Sequence, residues 1–249
     1  MSDENRWQHH PVGQASRLSG ATHHSSLITI KVNAQNPDEG AICKACAVLK
    51  QGGILAFPTE TFYGLGADAL NEQALKRVFA LKQRDYAKPL LVIIAEKDQL
   101  YSLVSDIPAV AEKLMDSFWP GPLTIIFKAK KGLPSLLTGG TDTVGIRISS
   151  HPVARSIALT FGLPLTATSA NLSGGKDPAT AQDVCNQLGE GVDLILDAGE
   201  TKGIKGSTII DVTLSPPRIV REGDVPAEEV KKVAGYFQMS KSQVQIKSK

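Results

Sequence analysis

The stretch from Phe57 to Leu90, FPTETFYGLGADALNEQALKRVFALKQRDYAKPL, constrains this 249-residue chain more than any other. A strand over Gly53 to Phe57 delivers the backbone to Pro58, whose fixed φ and missing N–H end the ladder. Thr59, Glu60 and Thr61 follow as exposed polar groups. Gly64 and Gly66 admit positive φ or close ligand approach to the backbone, which predicts a glycine-rich turn. Asn71 suits the N-cap of a helix. That helix carries Leu75, Val78, Phe79 and Leu81 at mostly i, i+3, i+4 spacing, so one face packs inward. Lys82, Arg84 and Lys88 emerge where it ends. On their own they read as cations that complement the negative end of the helix dipole.

The rest of the chain alternates irregularly between strands and helices. LITIKV reads as a strand and Asp38 to Gln51 as its following helix, stopped by Gly52 and Gly53. Leu90 to Ile94 is an unbroken apolar run, as in a strand covered on both faces. Helical segments follow at Gln99 to Val104 and Pro108 to Phe118, then a hard turn at Trp119-Pro-Gly-Pro. LTIIFKA and Val144 to Ile148 read as strands. The second carries Arg147, a charge that needs a partner or an anionic ligand if it is buried. The helix His151 to Phe161 leads through the strand PLTAT into the polar loop Ser169 to Gly175. Beyond a helix at Thr180 to Leu188 come three strands, DLILDAG, STIIDVT and RIVREG, and a helix at Pro226 to Phe237. The segment Gly203 to Thr208 could present backbone N–H groups and hydroxyls to phosphate oxygens. The pattern predicts an α/β domain, built on a twisted, mixed, partly parallel open sheet with helices on its faces.

Composition sets outer limits. Hydrophobic residues at 42% and charged residues at 21% describe a globular chain, and the apolar runs are too short for a transmembrane helix. The first 26 residues hold four of the five histidines and no apolar signal core, so residues 1–26 are expected to be a disordered leader. Residues 27–237 form one domain on this reading and 238–249 a polar tail. His9–His10 and His23–His24 read as incidental pairs in a polar segment. A net charge of +2 is too mild to mark a nucleic-acid binder, though a local basic groove stays open. Cys43 and Cys46 form a CxxC, but inside a helix, on a face with Ile42, Ala45 and Leu49, they read as packing thiols. No second pair completes a zinc site.

The order PTETFYGLGADA, then KQR, then AKPL, and later TSANLSG resembles the threonylcarbamoyl-AMP synthase family, also called YrdC-like or TsaC-like, in its short single-domain form. The resemblance runs from about Leu27 to Val225. Its signature is Lys-x-Arg followed distantly by Ser-x-Asn, here Lys82, Arg84, Ser169 and Asn171. It implies a YrdC-like fold and a cytoplasmic nucleotidyltransferase. That enzyme joins L-threonine, bicarbonate and ATP into threonylcarbamoyl-AMP, with release of pyrophosphate, for modification of a tRNA adenosine. The implied partner is a downstream tRNA threonylcarbamoyl transferase, and the family is also associated with double-stranded RNA; no membrane is involved. Lys82 and Arg84 would meet the triphosphate and the reacting carboxylates, with Ser169 and Asn171 as adenylate-side donors. Thr59 and Thr61 would meet threonine, while Arg147, Ser207 and Arg221 would add ATP contacts. Mg²⁺ would arrive with ATP and need no dedicated protein site. Two positions depart from the family: Gln83 stands where many relatives have glycine, and Ile93 and Ile94 where many have a histidine.

Other readings remain open at this level. Gly64-x-Gly66-x-x-Ala69 satisfies a relaxed dinucleotide fingerprint, although Pro58 to Tyr63 separate it from its strand. A double-stranded RNA-binding module would need little sequence signature. A related carbamoyl-adenylate enzyme with another acceptor would differ only in substrate.

Overall fold

The computed structural model describes residues 27–235. The expected leader over 1–26, the tail over 238–249 and the last two residues of the terminal helix lie outside the described residues. In chain order the elements begin with β1 (Ile28–Lys31), α1 (Glu39–Lys50), β2 (Leu55–Pro58), β3 (Tyr63–Gly66) and α2 (Glu72–Lys82). They continue with β4 (Val92–Ile93), α3 (Leu100–Leu103), α4 (Ala109–Phe118), β5 (Leu123–Lys128), α5 (Ser135–Thr138), β6 (Thr143–Arg147) and α6 (Pro152–Phe161). The last are β7 (Leu165–Thr166), β8 (Thr168–Ser169), α7 (Ala181–Leu188), β9 (Leu194–Asp197), β10 (Thr208–Asp211), β11 (Arg218–Arg221) and α8 (Ala227–Ala234).

The expected mixed α/β architecture is present, with its strands divided between two sheets. One has the order β1-β9-β2-β3-β8 and the other β11-β10-β5-β6-β4-β7. Both combine parallel and antiparallel pairs: β2 runs parallel to β9 and antiparallel to β3, and β5 runs parallel to β10 and antiparallel to β6. The division falls within one short segment. β7 borders β4 in the second sheet and β8 borders β3 in the first, with only Ala167 between them. Thr166 N–H donates to Ala67 O at 2.9 Å and Ala167 N–H to Leu91 O at 2.8 Å, so residues 165–169 stitch the sheets together. A cleft opens along this seam.

Helices cover the sheets because their apolar faces match them. α1 and α6 close one side, where Ile42, Ala45, Leu49, Val153 and Ile157 meet Leu55, Phe57, Leu194 and Leu196. Cys46 belongs to this layer, and burial raises its thiol pKa, whereas Cys43 is exposed. The two cysteines therefore do not share a packed face as expected. The larger core lies on the other side, around Leu75, Val78 and Phe79 of α2 and the apolar residues of β5 and β6. β4 is covered on both faces as its sequence predicts, since Val92 and Ile94 join the larger core and Ile93 the smaller.

Three elements differ from expectation: the strand PLTAT is divided into β7 and β8, the short helix α5 is additional, and the glycine-rich segment is a strand. Gly64 and Gly66 do not form a turn; both lie in β3, paired with Phe57 and Leu55 of β2, and the turn of this hairpin is Thr59 to Phe62. Neither glycine has positive φ. Packing accounts for Gly66 instead, because a Cβ there would stand 2.6 Å from the Phe57 ring. With its glycines inside a strand, the segment lacks the strand-to-helix turn that a dinucleotide fingerprint requires.

Candidate functional site

A cleft of about 400 Å³ lies over the seam between the sheets. Seven of the nine residues singled out in the sequence line it: Thr59, Thr61, Arg84, Arg147, Ser169, Ser207 and Arg221. They arrive from the β2–β3 turn, the exit of α2, the ends of β6, β8 and β11, and the segment before β10. Lys82 and Asn171 do not line the cleft; they are 1% and 4% exposed and sit behind its wall.

The hairpin turn fixes the polarity of two hydroxyls. Thr59 Oγ1 donates to Phe62 O at 2.7 Å, accepts the Thr61 N–H at 3.2 Å and lies 3.0 Å from Thr61 Oγ1. A hydroxyl has one proton, and that of Thr59 is used on the carbonyl. Thr61 is therefore the donor between the two, and its lone pairs face the cleft as acceptors. Both residues are buried, at 1% and 5% exposed, contrary to the exposed turn expected. The cover is the segment before β10, whose Gly203 N–H donates to Thr61 O at 3.1 Å. The approach is so close that a Cβ on Gly203 would fall 2.2 Å from that oxygen.

α2 ends at Gln83, in the left-handed conformation at φ 50° and ψ 44°. This reversal sends Lys82 and Arg84, two residues apart, to different places. Gln83 is where a glycine is expected from the resemblance, and here a side chain stands in a conformation disfavoured by about 1–2 kcal/mol. Against this stands glycine's greater loss of backbone freedom, about 0.5–1 kcal/mol. Gln83→Gly is therefore expected to stabilise the protein by about 0.5–1 kcal/mol, read from urea denaturation midpoints at unchanged slope.

Arg84 lies along the cleft, held by its Nε to Lys88 O at 3.3 Å and its Nη2 to Pro89 O at 2.8 Å. Lys82 turns inward instead of reaching an open phosphate position. Its Nζ donates to Ser169 O, to Asn171 O at 2.6 Å and to Asn171 Oδ1 at 3.0 Å, which occupies all three ammonium protons. Ser173 N–H in turn donates to Lys82 O at 2.9 Å. The Ser169–Ser173 loop is thus grafted onto the end of α2. Burial, followed by repulsion from Arg84, pushes the Lys82 pKa down to about 8, with Asp177 opposing.

The expected donor pair is also committed internally. Ser169 Oγ donates to Asn171 Oδ1 at 2.8 Å, and Asn171 Nδ2 donates to Gly175 O at 2.8 Å. Ser169 consequently shows the cleft lone pairs rather than a proton. Donors in the cleft come from the cations Arg84, Lys88, Arg147 and Arg221, against one lining carboxylate, Asp177. Arg221 donates to Ser207 O at 2.8 Å, and Ser207 Oγ stands 2.8 Å from Thr124 Oγ1. Burial lowers the pKa of both Arg84 and Arg221, with Arg147 adding repulsion at Arg221 and the nearby carboxylates Asp85 and Asp177 opposing. Arg147 is buried, Arg84 half-buried, and Lys88 and Arg221 exposed, and cations gathered along one cleft form a receptor for a polyanion.

Arg147 satisfies the requirement that its sequence position raised. It is 5% exposed, and its Nη1 pairs with Glu60 Oε1. Sequence reasoning gave Glu60 and Asp177 no role. Glu60 was legible only as part of a polar turn, and its partner lies 87 residues away. Ile93 and Ile94 are fully buried and do not line the cleft, so the departure from histidine puts no side chain of theirs into this site.

A family model named for Sua5, YciO and YrdC and described as "Telomere recombination" matches residues 47–223. A threonylcarbamoyl-AMP synthase of Pyrococcus abyssi is 41% identical over 213 residues, which is 85% of this chain and 63% of that protein. One of Bacillus subtilis is 37% identical over 215 residues, 86% of this chain and 61% of that protein. The chain thus spans about three fifths of the length of these relatives. The crystal structure of P. abyssi Sua5 complexed with L-threonine superposes with a TM-score of 0.80 at 40% identity, covering 84% of this chain and 61% of that one.

Proposed function

We propose that this chain, which belongs to the Sua5/YciO/YrdC family, joins L-threonine, bicarbonate and ATP into threonylcarbamoyl-AMP and pyrophosphate. The observation that carries the reading is one cleft holding three arginines beside an acceptor hydroxyl of a buried threonine pair. Threonine carbamate brings two negative groups, ATP brings its phosphates, and charge grows at the α-phosphorus under attack. Catalysis of such a step needs positioned cations and donors more than a protein nucleophile. Arg84, Arg147 and Arg221 meet the anionic oxygens on this reading, while Thr61 Oγ1 accepts from an N–H or O–H of the amino acid. The P. abyssi structure with L-threonine supports the amino-acid half.

Mg²⁺ belongs to the same proposal as the companion of ATP. Among the described residues no group of three or more His, Cys, Asp or Glu could hold a metal, and Asp177 is the carboxylate on the cleft. That donor set fits an ion carried mainly by phosphate and water oxygens, which needs few protein ligands. Bound there it would neutralise charge on the leaving pyrophosphate. The reading extends to a cytoplasmic enzyme that hands its adenylate to a tRNA threonylcarbamoyl transferase, with tRNA or double-stranded RNA as a further partner. Among the described residues no helix is long and apolar enough to cross a membrane.

Labelled bicarbonate tests the chemistry. With ¹³C-bicarbonate, ATP and L-threonine, mass spectrometry is expected to find a threonylcarbamoyl adenylate carrying the label. An unlabelled threonyl adenylate would overturn the reading.

A further inference from the structure

We infer that Glu60 is a positioning residue for Arg147, a clamp across the seam that aims the guanidinium at the anionic substrate; the inference rests on the polyanion cleft described above. Glu60 sits in the β2–β3 turn of one sheet, and Arg147 ends β6 in the other. Both carboxylate oxygens are engaged from the far side: Oε1 takes Arg147 Nη1 and Oε2 takes Ser149 Oγ. The side chains of Glu60 and Arg147 are 14% and 6% exposed. His151 caps α6 nearby, its pKa lowered by burial with the Glu60 charge opposing.

This geometry does two things. Thr59 and Thr61, on either side of Glu60, line the cleft, as does Arg147, while Glu60 itself does not. The carboxylate therefore locks the hydroxyl pair and the arginine into one relative arrangement. Two acceptor oxygens meeting two donors from one segment fix direction as well as distance. Glu60 also neutralises a buried guanidinium while the cleft is empty, which an uncompensated charge there would make costly. Without it, Arg147 keeps its charge and its attraction for phosphate but loses its aim.

The proposal separates binding from turnover. Glu60→Gln is expected to lower kcat about tenfold or more, because misplacing a charge-stabilising group costs rate. Its affinity for ATP, measured by calorimetry without threonine, is expected to tighten, since the guanidinium is released from its carboxylate. Both effects are expected to vanish in an Arg147→Met background, the signature of action through Arg147. Glu60→Asp keeps the charge but shortens the reach, and is expected to lower kcat with ATP affinity kept. It carries the test if Glu60→Gln does not fold. Wild-type kcat in either folded variant would overturn the proposal. So would equal effects of Glu60→Gln with and without Arg147. Should the unmodified protein form no threonylcarbamoyl adenylate, the proposed function falls, while dependence of ATP affinity on the Glu60–Arg147 pair still decides this inference.

Discussion

Lys82→Met is expected to lower activity about a hundredfold or more and to destabilise the protein by about 3 kcal/mol, although Lys82 does not line the cleft. The ammonium makes three hydrogen bonds to the Ser169–Asn171 loop from a position 1% exposed. Methionine fills much of the space but takes the ammonium donor from the Ser169 and Asn171 carbonyls and leaves Asn171 Oδ1 only the Ser169 hydroxyl, and a buried acceptor left unmade costs about 1–3 kcal/mol. The loop also carries Ser169 into the cleft, so its loosening reaches the substrate. Urea denaturation and initial rates measure the two effects. Ser169→Ala in the Lys82→Met background should then cost less than it does alone, because both act through one loop.

The same ammonium predicts a pH dependence. With its pKa near 8, Lys82 is charged at pH 7 and, as pH rises through 8, loses a proton and with it one of its three hydrogen bonds to the loop. Activity is expected to fall over that interval. Stability moves the other way: between about 8 and the ordinary 10.5 the unfolded chain binds more protons at this residue, so its contribution to folding rises with pH. Activity lost without unfolding would match this sign.

Arg84→Lys is expected to reduce ATP-dependent activity about tenfold to a hundredfold, equivalent to about 1.5–3 kcal/mol. Arg84 does two jobs with one planar group. Its Nε and Nη2 hold the carbonyls of Lys88 and Pro89, which leaves further N–H groups of the fork for the cleft. A lysine has no fork and cannot hold both carbonyls while offering directed donors to phosphate or carboxylate. Turnover at the wild-type rate by a folded Arg84→Lys protein would contradict this.

Much of this was legible in residue order because it rests on local physics. Asn71 caps α2 as expected, accepting from the N–H groups of Gln73 and Ala74. The apolar run at Leu90 to Ile94 lies between two cores. Seven of nine expected site residues share a cleft. What escaped was non-local. β3 reads as a turn because its two glycines imitate turn chemistry, and only Phe57 across the hairpin reveals the packing need at Gly66. The division of strands between two sheets depends on Ala167 and its contact with Leu91, which no periodicity encodes. Lys82 looks like any cation at a helix end, and its acceptors lie 87 and 89 residues further on. Gln83 marks the opposite case, where the residue is plain in the sequence and its left-handed conformation is not.

The most direct measurement is pyrophosphate release from ATP with each substrate omitted in turn. A cleft built from cations, acceptor hydroxyls and a buried supporting lysine offers no activated protein nucleophile, so the attacking oxygen must come from a bound substrate. Release is therefore predicted only when L-threonine and bicarbonate are both present. Release from threonine and ATP in bicarbonate-free buffer would contradict the account in favour of amino-acid activation, and release without any amino acid would contradict it in favour of nucleotide hydrolysis.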